Sequence, residues 1–178
     1  MNNALAVLQP AELKGTGTSI KFHGQVPLRA GNAIALAAQG NIDMRLLRLL
    51  SPDLRTSGTV ALDVRGAGDV AHPSVSGTVR LQKTNIAMVS APLGLEQMNG
   101  VLTISNDRIQ ITQLDGQMGG GKISAGGFIA LKPQLQMSIA MNAQSVRLRY
   151  PEGTRAIVDS NLTLSGTTDS ATLDGRVL

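Results

Sequence analysis

Between Leu93 and Leu131 the chain reads LGLEQMNGVLTISNDRIQITQLDGQMGGGKISAGGFIAL, and aliphatic and polar residues alternate through most of it. Leu102 and Ile104 share one parity, as do Ile109 with Ile111, and Ile123 with Ala125, Ile129 and Leu131. A period of two is the signature of a strand that is apolar on one side and polar on the other. Asn, Asp and Gly separate the runs, so the stretch predicts three consecutive strands joined by tight turns. A chain built this way must make a sheet with one aliphatic face, and that face must be covered or used.

The same grammar extends outward. Ile20 and Phe22 alternate with Lys21; Ile34 and Leu36 lie in phase; Val60, Leu62 and Val64 follow in TVALDVR, and Val79 and Leu81 after them. Leu135, Met137, Ile139, Met141 and Ala143 make the longest clean alternation. Val146, Leu148 and Tyr150 then resume in the opposite parity, which predicts a bend or bulge at Gln144–Ser145. Val158, Leu162, Leu164 and the terminal Arg176–Leu178 complete the set. About a dozen short strands of roughly five to nine residues result, chiefly antiparallel. Leu62–Gly66 with Ser76–Val79 is echoed by Leu162–Gly166 with Asp174–Val177, one supersecondary unit used twice.

One segment breaks the pattern. In Asp43–Leu50, DMRLLRLL, apolar residues recur at helical spacing, Asp43 is placed to cap and Ser51-Pro52 to stop, so a short helix is expected over 43–50. No run approaches the roughly 18 apolar residues of a membrane span. Met1-Asn2-Asn3 lacks a positive n-region and Ala4–Leu8 is short for a signal core. The expectation is a single β-rich domain over 1–178, a fragment of a longer chain.

Composition excludes several functions. With no cysteine there is neither a disulfide framework nor a thiolate metal site. The only histidines are His23 and His72, without ligand spacing, so no metal or cofactor is expected. Gly116–Lys122 matches the spacing of a phosphate loop, but Ile123 stands where magnesium chemistry needs Ser or Thr, and a strand follows where a helix is required. Gly66–Ala71 spells a dinucleotide fingerprint, but His72-Pro73 occupies the start of the required helix. No Ser sits in a nucleophile motif, and the acids fall mostly at turns. The net charge of +4 is scattered over positions such as Arg55, Arg80, Arg108 and Arg147, which is no nucleic-acid stripe. The chain is read as non-enzymatic.

Three phrases carry a family resemblance: Leu93–Leu131 itself; NIDMRLLRLLSPDL with Ser57-Gly58; and Tyr150-Pro151-Glu152-Gly153 leading through Asp159 and Leu162 to Gly166. Together they resemble repeat-like units of the TamB/AsmA-like family. The resemblance implies an all-β fold, a long antiparallel-rich sheet curled lengthwise into an apolar trough (a β-taco). It implies a periplasmic setting, with the full-length protein anchored in the inner membrane. The implied role is shielding lipid acyl chains or outer-membrane protein strands, in outer-membrane protein assembly or phospholipid transport between membranes. The implied partners are phospholipid or nascent outer-membrane protein, with an outer-membrane barrel as a further partner and no nucleic acid. The expected groove lining is Val60, Leu62, Val64, Leu102, Ile104, Ile109, Ile111, Ile123, Ile129, Leu131, Leu135, Met137, Ile139 and Met141. The alternative is a secreted β-sandwich or β-helix module for adhesion or carbohydrate binding, with the same residues sealed in a core.

Overall fold

A computed structural model describes residues 5–27, 33–49, 51–68, 73–91, 93–131, 134–148 and 155–178. The strands are β1 (Leu5–Gly15), β2 (Thr18–Pro27), β3 (Ile34–Asp43), β4 (Leu54–Gly68), β5 (Pro73–Met88) and β6 (Leu95–Ser105). They continue as β7 (Arg108–Met118), β8 (Gly121–Ala130), β9 (Gln136–Leu148), β10 (Ala156–Thr167) and β11 (Ala171–Val177). All eleven lie in one sheet in the order of the sequence. Each pairs antiparallel with the next, as tight turns allow and crossovers do not.

The turns follow local chemistry. Gly119 and Gly120 both have positive φ, +55° and +76°, and close the β7–β8 hairpin as a two-residue loop. That conformation matches the twist of the flanking strands and suits glycine at both positions. The phosphate-loop spacing is therefore a hairpin turn. Asn106, φ +45°, turns β6 into β7.

The expected trough is corrected here. The sheet is open and not strongly curled, and its first and last strands, β1 and β11, are separate edges. Among the described residues, substantial contacts between elements run only from each strand to its successor, and from β4 to the short helix. No second sheet lies across from the first among the described residues, so the sandwich alternative fails on the same observation. Alternation specifies which side of a strand is greasy. It does not specify how far the sheet bends or what meets that side.

The strands are also longer than expected, up to sixteen residues in β5. Bulges join what alternation separates. Ser145, φ +55°, is the extra residue at which β9 changes parity, where Ala143 pairs with Ser160 but Val146 with Val158. Lys83 in β5 and Gln97 in β6 hold φ of +45° and +52° at similar irregularities. A bulge leaves a main-chain N–H without its ladder partner. At all three a side chain on the neighbouring strand accepts it: Asn99 Oδ1 from Lys83 N (3.0 Å), Asn85 Oδ1 from Gln97 N (2.8 Å), and Asp159 Oδ1 from Ser145 N (2.6 Å). Asn85 and Asn99 thus clamp each other's strands. The internal echo is not kept in the pairing: both copies form antiparallel hairpins, but Gly77 sits opposite Val64 whereas Gly175 sits opposite Leu162 and not Leu164.

The helix is a 3-10 turn, Met44–Leu49, rather than the α-helix expected over 43–50. So short a segment cannot hold an α-helical ladder unaided, and tighter bonds serve short pieces. Its entry is fixed by side chains. Asp43 Oδ1 accepts from Arg45 N at 2.8 Å, Thr18 Oγ1 accepts from Asp43 N at 3.0 Å, and Thr56 Oγ1 donates to Met44 O at 2.6 Å. Met44, Thr56, Thr84 and Met98 are buried, with Gly116 leaving room for the Met98 sulfur. Of the remaining described apolar side chains, only Ile111 and Val146 are buried; most others are half-covered by neighbours on their own face.

Candidate functional site

Directly paired residues in a sheet project to the same side, so the register reads out the two faces. One row crosses all eleven strands: Leu13, Ile20, Gly40, Leu62, Val79, Leu102, Ile111, Gly127, Ile139, Leu164 and Leu173. A second, two residues along, runs Ala11, Phe22, Ala38, Val64, Gly77, Ile104, Ile109, Ile129, Met137, Gly166 and Ala171. A third begins at β3 with Ile42 and continues through Val60, Leu81, Gly100, Leu114, Ala125, Met141 and Leu162 to Gly175. Not one polar side chain interrupts these rows. Large residues flank most of the glycines, so aliphatic side chains lean over gaps in the row.

Of the fourteen residues expected to line a groove, twelve share this face: Val60, Leu62, Val64, Leu102, Ile104, Ile109, Ile111, Ile123, Ile129, Met137, Ile139 and Met141. Leu131 and Leu135 fall just outside the paired strands, after β8 and before β9. The expected set omitted the β1–β3 contributions and Val79, Leu81, Leu114, Leu162, Leu164 and Leu173. Their alternation is visible in the sequence. The thirteen-residue reach of β9 and the bulges that keep Leu114 in phase with Ile111 are not.

The opposite face is polar along the matching row: Glu12, Lys21, Gln39, Asp63, Thr78, Thr103, Gln110, Phe128, Ser138, Ser165 and Thr172. Phe128 is the exception, and Arg108 accounts for it, its guanidinium lying 4.0 Å from the ring centroid. Beside it Gln110 Nε2 donates to Gly127 O at 2.9 Å. His23 is exposed on this face; His72, Asp69–Ala71 of the dinucleotide-like motif and Tyr150–Gly153 lie outside the described residues. No group of three or more acidic or imidazole side chains able to hold a metal occurs among the described residues.

The one strongly shifted carboxyl among the described residues serves structure. Asp43 is lowered to about 2, first by hydrogen bonds from the Arg45 guanidinium (Nε at 2.9 and 3.0 Å) and then by the Arg45 main-chain N–H. It holds the entry to the 3-10 turn.

The aliphatic face carries shallow relief, not a channel. One depression of about 340 Å³ lies among Leu8, Phe22, Leu36, Val64 and Val75, where Gly66 leaves space. An acyl chain laid along this open face would stay wet on its outer side. The expected lipid-shielding groove, and with it the cargo role in lipid transport or outer-membrane assembly, is therefore not what this geometry provides. No protein-family model, curated protein or solved structure matches the chain.

Proposed function

We propose that this protein is a non-enzymatic interaction scaffold, whose open aliphatic face takes the apolar side of another extended, amphipathic polypeptide. The observation that carries this reading is the unbroken set of cross-strand aliphatic rows on one side of a single-layer sheet. Contiguous apolar surface on this scale marks an interaction site. An open face suits an extended partner: a second β surface packs against it at about 10 Å, whereas a lone lipid tail would be covered on one side only. Membership in the TamB/AsmA-like family, with a periplasmic setting, belongs to the same proposal and rests on the three sequence phrases alone.

A synthetic amphipathic peptide of alternating Val and Thr, titrated by calorimetry, tests the face directly. Binding with a negative heat-capacity change is expected. Leu62→Asp and Ile139→Asp, both in the row that spans every strand, should weaken it at least about tenfold while far-UV circular dichroism is retained. Equal binding by both variants would place the partner elsewhere. Binding of phosphatidylcholine vesicles in place of the peptide would overturn the choice of partner.

A further inference from the structure

Glycines leave gaps in the aliphatic rows, and at two of them a neighbouring side chain fills the space. A Cβ built on Gly24 would lie 2.7 Å from Leu36 Cδ2, and one on Gly100 would lie 2.8 Å from Leu114 Cδ1. Gly66 is different. It has no positive φ, and an added Cβ would meet nothing closer than Leu36 Cβ at 3.8 Å. Neither the backbone conformation nor packing within the chain requires glycine at this position.

The cross-strand row that contains Gly66 runs Leu8, Gly24, Leu36, Gly66 and Val75, on β1 to β5. Large side chains alternate there with bare backbone. Leu36 leans over Gly24, so the space over Gly66 stays open. Gly66 is the floor of the depression of about 340 Å³, Leu36 and Val75 are its walls, and Phe22 and Val64 of the adjoining row close one end. The walls stand two strand spacings apart, about 9–10 Å. Both are exposed, at 38 % and 39 %.

We infer that this depression is an anchor socket for one aromatic side chain of the extended partner. The inference rests on the proposed role of the aliphatic face and adds the residue type that its partner carries. A ring standing on edge touches an aliphatic wall on each side when the walls are about 7–8 Å apart, twice the optimal carbon–carbon separation. Leu36 and Val75, leaning inward from their strands, offer that width. A dry cavity of about 150 Å³ takes a benzene ring, so the socket, open on one side, has room for a ring as large as indole. Packing a ring over a strand glycine is also an established way of covering its bare backbone. A partner Val or Leu is too short to fill the same volume and would forfeit contacts with the floor. An extended partner projects alternate side chains toward the face, so it can set one ring here while its other apolar residues lie on the adjoining rows.

The test sets the alternating Val/Thr peptide beside the same peptide with one central Val replaced by Trp, each titrated by calorimetry. The wild-type chain should bind the Trp peptide about five- to tenfold more tightly. Gly66→Val fills the floor with a side chain suited to a strand, and should erase that gain while leaving the binding of the Val/Thr peptide unchanged. The chain has no tryptophan, so indole emission reports the peptide alone. It should shift to the blue on the wild-type chain and much less on Gly66→Val. Should Gly66→Val disturb the strand by circular dichroism, Val75→Ala removes one wall at an exposed position and should cut the gain about threefold. Equal binding of the two peptides by the wild-type chain overturns the socket and leaves the role of the aliphatic face standing. A Trp gain that persists in both variants overturns the socket too. Failure of both peptides to bind overturns the role of the face, and the socket with it.

Discussion

Gly126 and Gly127 are neighbours in β8, yet replacing each with alanine should have opposite results. Gly127 has φ +143°, and a Cβ built on it would lie 2.1 Å from Ser138 O and 2.9 Å from Ile139 Cα of β9. Carbon and carbonyl oxygen do not normally approach below about 3.3 Å, so β9 would have to retreat by about 1 Å. Holding a non-glycine residue in this region costs about 1–3 kcal/mol, and stretching a ladder bond adds about 1 kcal/mol. The reduced freedom of the unfolded chain returns about 0.4–1 kcal/mol. Gly127→Ala should therefore destabilise by about 2–3 kcal/mol. Gly126 lies on the polar side, has no positive φ, and its added Cβ would meet nothing closer than Ile111 O at 3.7 Å. Gly126→Ala should leave stability unchanged or raise it by up to about 1 kcal/mol. Urea unfolding followed by far-UV circular dichroism separates the two, given an unchanged m-value. If Gly127→Ala lies within about 0.5 kcal/mol of wild type, the backbone does not hold the mirror-β conformation on which this reasoning rests.

Thr84 is fully buried and its hydroxyl has no hydrogen-bond partner; Thr84→Val should be neutral or stabilising by about 1 kcal/mol in the same urea assay, because a near-isosteric methyl replaces an unpaired polar atom. Asp43, lowered to about 2 from a reference of 3.8, contributes stability that is complete above the unfolded value and is lost as pH falls from about 4 through 2. Asp43→Asn should flatten that acid limb, and its deficit against wild type should be largest near neutral pH and shrink toward pH 2, read by thermal melts across the range.

The sequence by itself determined the sides. Alternation around Leu62, Leu102, Ile109, Ile139 and Leu164 names the residues that share a face, because the pleat of an extended chain puts every second side chain on one side whatever its neighbours do. It also marked the bulge at Ser145, where parity breaks, and the Gly119-Gly120 hairpin, whose chemistry is local. Only the tertiary structure decided the rest. The bulges at Lys83 and Gln97 become tolerable because Asn99 and Asn85 reach them from the adjacent strand, and neither contact has a sequence signature. They join segments that read as separate strands into a β5 of sixteen residues. The 3-10 form of Met44–Leu49 depends on Thr18 and Thr56, brought in from elsewhere in the chain. Whether the aliphatic face closes, curls or lies open is a relation between strands far apart in sequence. The pairing of each strand with its successor leaves it an open single-layer sheet.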